Sequence, residues 1–75
     1  MPAPDPALKR FGANVRARRE ARELSQEKLA ELADLDRTYI SSVERGARNI
    51  SLLSTIRIAK GLRTTVADLC VGVDR

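Results

Sequence analysis

Apolar side chains recur every three or four residues along most of the chain, with polar side chains between them. Leu8, Phe11 and Val15 begin this pattern, which is the spacing of one face of an α-helix. No stretch alternates apolar and polar residues at every second position, so we expect no strand. The pattern predicts an all-α fold of five helices, over about residues 6–22, 26–33, 37–45, 52–62 and 66–71.

Residues typical of helix ends support these boundaries. Asp5 stands before Pro6, and proline suits the first helical position because its missing N–H would have no partner there. Gly46 follows the third helix, as glycine often does at a helix C-terminus. Asp34 falls in the turn between helices two and three, where aspartate tolerates a left-handed backbone. The other predicted N-caps are Ser25, Asp36, Ser51 and Thr65.

A single core is expected for residues 6–75, because a chain of this length has no room for a second. Residues 1–5 carry Pro2 and Pro4 and are predicted to form a disordered N-terminal arm. The side chains expected to face inward are Leu8, Phe11, Val15, Leu29, Leu32, Ala33, Ile40, Val43, Leu52, Ile56, Ile58, Ala59 and Leu62.

Positive charge dominates the chain and is unevenly placed. There are 14 Lys and Arg against 10 Asp and Glu, a net charge of +4. Such a balance suits a polyanion, because neutralising phosphates releases their counterions. The alternative interpretation of these basic residues is that they only form a solvated surface. The two basic groups are Lys9, Arg10, Arg16, Arg18, Arg19 and Arg22 in residues 9–22, and Arg37, Arg45 and Arg48 farther on.

Several classes of protein are disfavoured by what the sequence lacks. There is no histidine, and Cys70 is the one cysteine, so we expect no metal site, no internal disulfide and no cofactor. No nucleophile–base pair or glycine-rich phosphate loop is apparent, so an enzyme is not expected. No apolar run is long enough to span a bilayer. These observations favour a cytoplasmic binding protein without a membrane partner.

Helices two and three, separated by a short turn, have the form of a helix-turn-helix. The second helix of such a pair enters the major groove of double-stranded DNA. Arg37 is the strongest candidate for a base contact, because its planar guanidinium can donate two hydrogen bonds to guanine; the alternative is a surface arginine that pairs with Asp36 or with solvent. Thr38 can hydrogen-bond a base edge or pack its methyl group on thymine, although a surface-filling role is nearly as reasonable.

Further polar side chains fit contacts with the DNA backbone. Ser41 and Ser42 are short and suit phosphate contact. Gln26 begins the second helix, where its amide and the helix N-terminus together can bind a phosphate. Asn49 can reach DNA or cap its own loop. Tyr39 lies off the inward stripe, so its ring either touches the sugar–phosphate backbone or a groove wall, or is partly buried against helix two or the turn.

Two stretches resemble known families. The helix pair followed by Glu44-Arg45-Gly46, Arg48-Asn49 and Ser51-Leu52 resembles the five-helix repressor-like domain of phage repressors and many bacterial regulators, over about residues 8–70. The segment Leu35 to Ser41, followed by Glu44-Arg45 and Arg48-Asn49, is similar to the controller proteins of restriction–modification systems, which time endonuclease expression. The fold class implied is a compact repressor-like DNA-binding domain.

The resemblance implies roles for individual residues. The position of Tyr39 faces DNA in controller proteins, which places it with Arg37 and Thr38 as a base contact. Arg48 is implied to reach DNA from the loop after helix three. The positions of Arg19 and Glu44 form an ion pair that ties helix one to helix three.

The resemblance also implies a contact with RNA polymerase and points out two departures. Activating phage repressors present acidic groups at the positions of Glu27 and Glu31, so these residues form a hypothetical activation patch; a solvated face is the alternative. Many relatives have glycine where this chain has Asp34 and Arg63. Arg63 is expected to be strained unless the fourth helix ends early at Gly61.

A homodimer is expected, because one helix-turn-helix reads only a few base pairs and a two-fold pair reads a palindromic operator. The last predicted helix offers an apolar surface for it. The predicted interface residues are Val66, Leu69, Cys70, Val71 and Val73; the alternative is that Val66 and Leu69 only close the monomer core.

The leading hypothesis is a homodimeric controller that activates or represses transcription according to its concentration. Two other readings remain open. One is the antitoxin of a toxin pair that represses its own operon, and the other is a protein-interaction module on the same fold. The chemistry of Arg37, Thr38 and Tyr39 argues against the last reading.

Overall fold

A computed structural model describes residues 5–75, and every regular element in that range is a helix. The prediction of an all-α fold with five helices is therefore confirmed for this part of the chain. Residues 1–4, most of the predicted arm, lie outside the described residues. The helices are α1 (Pro6–Ala21), α2 (Gln26–Ala33), α3 (Arg37–Glu44), α4 (Leu52–Gly61) and α5 (Val66–Leu69). Four of the five end one or two residues earlier than predicted.

Four of the five predicted N-caps accept a hydrogen bond from the first turn of their helix. Asp5 accepts from the Ala7 N–H at 2.8 Å, and the hydroxyls of Ser25, Ser51 and Thr65 accept at 2.9–3.1 Å. Such a cap contributes about 1 kcal/mol. Asp36 precedes α3 but forms no such bond; its carboxylate accepts instead from the hydroxyl of Thr38.

The core lies between α1 and α2. Helix α2 packs on α3 and α4, α1 packs on α3, and α5 closes one end of the core. Thr55 is buried among these apolar groups, where its hydroxyl donates to the Ser51 carbonyl at 2.8 Å. Pairing that hydroxyl avoids the cost of an unsatisfied buried polar group. The buried apolar residues are Phe11, Val15, Leu29, Ala30, Ala33, Ile40, Val43, Ile58, Ala59, Leu62 and Leu69.

Two predicted core positions are wrong, and others are only partly buried. Leu52 is 70% exposed because it is the first residue of α4 and extends past the edge of the core. Leu32 is 48% exposed because Leu29, Ala30 and Ala33 define a buried face of α2 that it flanks. Leu8 and Ile56 are half-buried.

Residues with a left-handed backbone conformation follow α2, α3 and α4 and turn the chain sharply. Asp34 has φ 55°, and this conformation returns the Leu35 N–H to the Ala30 carbonyl at 2.9 Å. Gly46, with φ 73°, ends α3 as predicted. Helix α4 ends at Gly61, which was expected to relieve Arg63, yet Arg63 has φ 56°, so the early helix end does not remove the strain.

Candidate nucleic-acid interface

The outer face of α3 carries the polar side chains that the sequence predicts for DNA contact. Ile40 and Val43 are 0% and 2% exposed on the inner face. Arg37 and Thr38 are exposed on the opposite side. An eight-residue amphipathic helix of this kind buries one side and leaves the other free for a groove of matching width.

The first turn of α3 is ordered by its own side chains. Thr38 donates its hydroxyl hydrogen to the Asp36 carboxylate. That bond leaves the oxygen lone pairs and the methyl group of Thr38 on the exposed surface. Thr38 can therefore accept a hydrogen bond from a base amine or pack its methyl group against thymine.

Tyr39 and Arg48 form a stacked pair between α3 and the loop that follows it. The guanidinium carbon of Arg48 lies 4.6 Å from the centroid of the Tyr39 ring, within cation–π distance. Tyr39 is half-buried and packs on the core, which agrees with the alternative of partial burial. Arg48 Nε also lies 3.5 Å from Ser42 Oγ.

The two serines of α3 have partners within the chain. Ser42 donates its hydroxyl hydrogen to the Tyr39 carbonyl at 2.8 Å, and Ser41 accepts from Arg45 Nη1. Both serines are half-buried. Contact of Ser42 as a donor to phosphate would require its bond to Tyr39 to open. Asn49, in the same loop as Arg48, is exposed.

The C-terminal end of α3 is fixed by a charged cluster. Arg19 Nε and Nη2 donate to the two carboxylate oxygens of Glu44 at 2.7 and 3.0 Å, which is the predicted pairing. Gln26 Nε2 donates to the same carboxylate at 3.1 Å, and Arg19 Nη1 donates to the Leu24 carbonyl at 2.8 Å. The hydrogen bond that Arg19 donates to the Glu44 carboxylate raises the pKa of Arg19 against the opposing effect of burial. Helices α1, α2 and α3 thus meet at Glu44.

Gly12 allows α1 to approach the end of α3. A methyl group at Gly12 would lie 2.3 Å from the Val43 carbonyl oxygen and 2.7 Å from that of Glu44. These are backbone atoms, so they cannot move without moving the helix. The angle of α3 therefore depends on glycine at this position.

Glu27 and Glu31 are exposed on α2. Lys28 lies between them, with its Nζ 3.5 Å from a carboxylate oxygen of Glu31. Both side chains of that pair are more than half exposed, so the pair contributes little to stability. The two acidic groups therefore form an accessible, weakly constrained patch.

An apolar groove of about 310 Å³ runs between α1, the start of α4 and α5. Leu52 lines this groove and is 70% exposed, and Val71, which follows the lining residue Cys70 in the chain, is 61% exposed. The prediction that Leu69 contacts a partner subunit is wrong, because its side chain has no exposed surface and closes the monomer core. Val66, Cys70 and Val73 line the groove together with Ala7, Leu8, Phe11, Ile50, Leu52 and Thr55.

Sequence reasoning missed two residues that position these surfaces, Gly12 and Asn14. Each carries a signal in the sequence. Gly12 is a poor helix former in a helix interior, and Asn14 stands three residues after Phe11, on a stripe that otherwise turns inward. Asn14 Nδ2 donates to the carbonyls of Leu69 and Val71 at 2.8 and 2.9 Å.

Within residues 5–75, no helix has both the length and the apolar character needed to cross a lipid bilayer.

Comparison with known proteins agrees with this geometry. A helix-turn-helix family profile matches residues 15–69. The control protein C.MunI of a Mycoplasma species is 43% identical over 67 residues, which are 88% of this chain and 90% of that protein. The control protein C.SmaI of Serratia marcescens is 54% identical over 56 residues, 75% of this chain and 67% of that one.

A solved structure shows the same arrangement. The restriction-modification controller protein C.AhdI from Aeromonas hydrophila superposes with a TM-score of 0.81 at 45% identity, covering 83% of this chain and 94% of that one. The region matched by the family profile, residues 15–69, includes the whole of α2, α3 and α4. The chain therefore belongs to the helix-turn-helix family of DNA-binding transcription regulators and, within it, to the restriction–modification controller proteins.

Proposed function

We propose that this protein binds a palindromic operator as a homodimer and sets the expression of restriction–modification genes according to its own concentration. One observation carries the proposal. The exposed first turn of α3 offers a guanidinium and a hydroxyl, while its other end is held by the Arg19–Glu44 pair. The names of the relatives favour this role over that of an antitoxin or an interaction module.

Arg37 is proposed to read guanine through two hydrogen bonds, with Thr38 and Tyr39 reading adjacent positions. A good bidentate contact discriminates against the wrong base by about 1–3 kcal/mol. Because Tyr39 is packed and stacked before DNA arrives, little freedom of its ring is lost on binding. The base contacts would thus come from one preformed turn of α3.

The contacts to phosphate are proposed to flank this turn. Arg48 supplies a charge beside Tyr39, and Asn49 an exposed amide in the same loop. The N-terminus of α2 at Gln26 and the hydroxyls of Ser41 and Ser42 complete the proposed set. These groups set the register of the protein on the duplex and carry no sequence information directly.

The second copy is proposed to cover the apolar groove between α1, α4 and α5. Val66, Cys70 and Val73 line it from the C-terminal side together with Leu52, and the exposed Val71 is proposed to join the contact. Large exposed apolar side chains clustered at one groove are unusual on a monomer of this size. A two-fold contact there would cover Leu52 and Val71 of both subunits and repeat the recognition helix once per half-site.

RNA polymerase is proposed as a further partner when the bound dimer activates. Glu27 and Glu31 are exposed on α2, beside the helix that reads DNA. The double replacement Glu27→Gln and Glu31→Gln should leave operator affinity unchanged or slightly higher and abolish activation in a purified transcription assay. Unchanged activation would rule out the acidic patch as the polymerase contact.

A binding role without catalysis, exercised in the cytoplasm, completes the proposal. It is supported by the regulator family and by exposed side chains of α3 that are able to hydrogen-bond DNA. No step of the proposed mechanism makes or breaks a covalent bond.

The central test is selection of bound duplexes from a random pool, followed by affinity measurements on the selected operator at several salt concentrations. Arg37→Ala should weaken operator binding by about tenfold or more and relax the base preference at one position of each half-site. Arg57→Ala is the matched control, because Arg57 is equally charged and exposed on α4, outside the proposed interface. It should change affinity by less than about threefold.

Equal losses for the two arginine variants would contradict base reading by Arg37. Failure of the wild type to prefer any duplex over the unselected pool would contradict operator binding altogether.

A further inference from the structure

Asn14 connects α1 to the C-terminal end of α5. Its Nδ2 donates to the Leu69 carbonyl at 2.8 Å and to the Val71 carbonyl at 2.9 Å. These acceptors are 55 and 57 residues away in the chain. The last carbonyls of a helix have no partner within it, so a side-chain donor from elsewhere can fix where the chain goes next.

The segment bound by Asn14 is too short to be stable on its own. Helix α5 has four residues, which is about one turn, and an isolated turn is not stable in water. After it the chain bends back at Gly72, which has φ 76°, and the Val73 N–H donates to the Cys70 carbonyl at 3.1 Å. This turn places Val73 against the core and leaves Val71 exposed.

Three side chains of this region form one wall of the apolar groove, namely Val66, Cys70 and Val73. Asn14 does not line the groove; it lies one helical turn beyond Phe11, behind that wall. Another polar contact between the same helices, from Arg18 to Asp68, is 3.7 Å long with both side chains nearly half exposed. Such a contact contributes little to order.

We infer that Asn14 is a positioning residue for self-association: it fixes the turn of residues 70–73 so that the groove is formed before a second copy arrives. This inference rests on the proposed homodimer. A preformed surface binds more tightly because less conformational freedom is lost on association. Asn14 thereby controls operator occupancy without touching DNA or the partner.

The test replaces Asn14→Leu, which keeps the approximate size of the side chain and removes both donors. Sedimentation equilibrium then measures the dimer dissociation constant, and circular dichroism verifies folding at the same concentrations. Two lost hydrogen bonds should raise the dissociation constant about tenfold or more. Affinity for a full operator should fall with it, while affinity for a single half-site should stay within about twofold of wild type.

Two further variants make the result specific. Gly72→Ala strains the same turn through its positive φ and should weaken the dimer in the same way, with the helical core intact. Arg18→Gln removes the exposed contact between the same two helices and should leave the dimer constant unchanged. A merely structural role for Asn14 would instead lower half-site and full-operator affinity together.

The outcomes separate this inference from the proposed function. A wild-type protein that stays monomeric at micromolar concentration, with or without operator DNA, overturns the homodimer and this inference together. A dimeric wild type with unchanged dimer constants for both Asn14→Leu and Gly72→Ala overturns this inference alone.

Discussion

The Arg19 guanidinium holds both carboxylate oxygens of Glu44, so that α1 and α3 are joined at two points. The two side chains are only 12% and 3% exposed. A buried ion pair adds little net stability, because desolvation offsets the attraction, but removing one partner strands the other. The pair thus fixes the orientation of the recognition helix more than it strengthens the fold.

Arg19→Met should lower the free energy of unfolding by about 3 kcal/mol, because it leaves a nearly buried carboxylate with one amide partner. Glu44→Gln should cost less, since Arg19 keeps its bond to the Leu24 carbonyl. Urea denaturation measures both. Arg16→Gln is the control, because the Arg16–Glu20 pair is more than half exposed, and it should change stability by less than about 0.5 kcal/mol. Equal effects at both arginines would contradict this account.

Gly12→Ala should destabilise the fold by about 1–3 kcal/mol, since its methyl group would meet the carbonyl oxygens of Val43 and Glu44. Operator affinity should fall even where the variant remains folded, because α3 must shift. The comparison is Gly61→Ala, whose methyl group would meet the buried side chain of Leu29 at 3.2 Å but no backbone atom closer than 3.5 Å. That variant should be destabilised less than Gly12→Ala in thermal unfolding. A Gly12→Ala protein with unchanged melting temperature and affinity would show that α1 and α3 separate easily.

Arg63→Gly should stabilise the protein by about 0.5–1 kcal/mol, because glycine adopts a φ of 56° without the steric cost that arginine bears. Denaturant titration measures the gain. The same change at Arg57, inside α4, should instead cost about 1 kcal/mol through lost helix propensity. Opposite signs for the two arginines are the expected result, and matching losses would contradict strain at Arg63.

The pKa of Asp68 is lowered, chiefly because its carboxylate accepts a hydrogen bond from the Thr64 hydroxyl, and also through the charge of Arg18. A lowered folded-state pKa contributes stability above the ordinary value of 3.8, and that stability is lost as the pH falls through the folded-state pKa. Carboxyl-detected NMR titration should give a midpoint below 3.8 for wild type and a higher midpoint for Thr64→Val. Identical midpoints would exclude the hydroxyl as the cause.

Much of the fold was predictable from interactions between residues that are close in the sequence. The caps at Ser25 and Ser51, the left-handed turn at Asp34 and the helical stripe of Phe11 and Val15 depend on neighbouring residues alone, and sequence displays these directly. The outward face of α3 followed from the buried stripe of Ile40, because a helix that buries one side exposes the other.

Contacts between distant segments were harder to foresee. Leu52 follows the apolar pattern as well as Leu62 does, yet it lies past the edge of the core, and only the packing of α1 and α5 decides that. The Arg48–Tyr39 stack and the donors of Asn14 depend on where two loops return in space. The Arg19–Glu44 pairing was available only through family resemblance.

The hydrogen bonds from Arg19 and Gln26 hold the far end of α3, at Glu44, whereas the groups proposed to read DNA stand at its beginning. The residues that hold the far end of α3 can therefore be kept while those proposed to read DNA are changed. Exchanging residues 37 and 38 removes the Thr38–Asp36 hydrogen bond but leaves the supports at Glu44 in place, so a panel of mutually insulated genetic switches can be engineered on this one small framework.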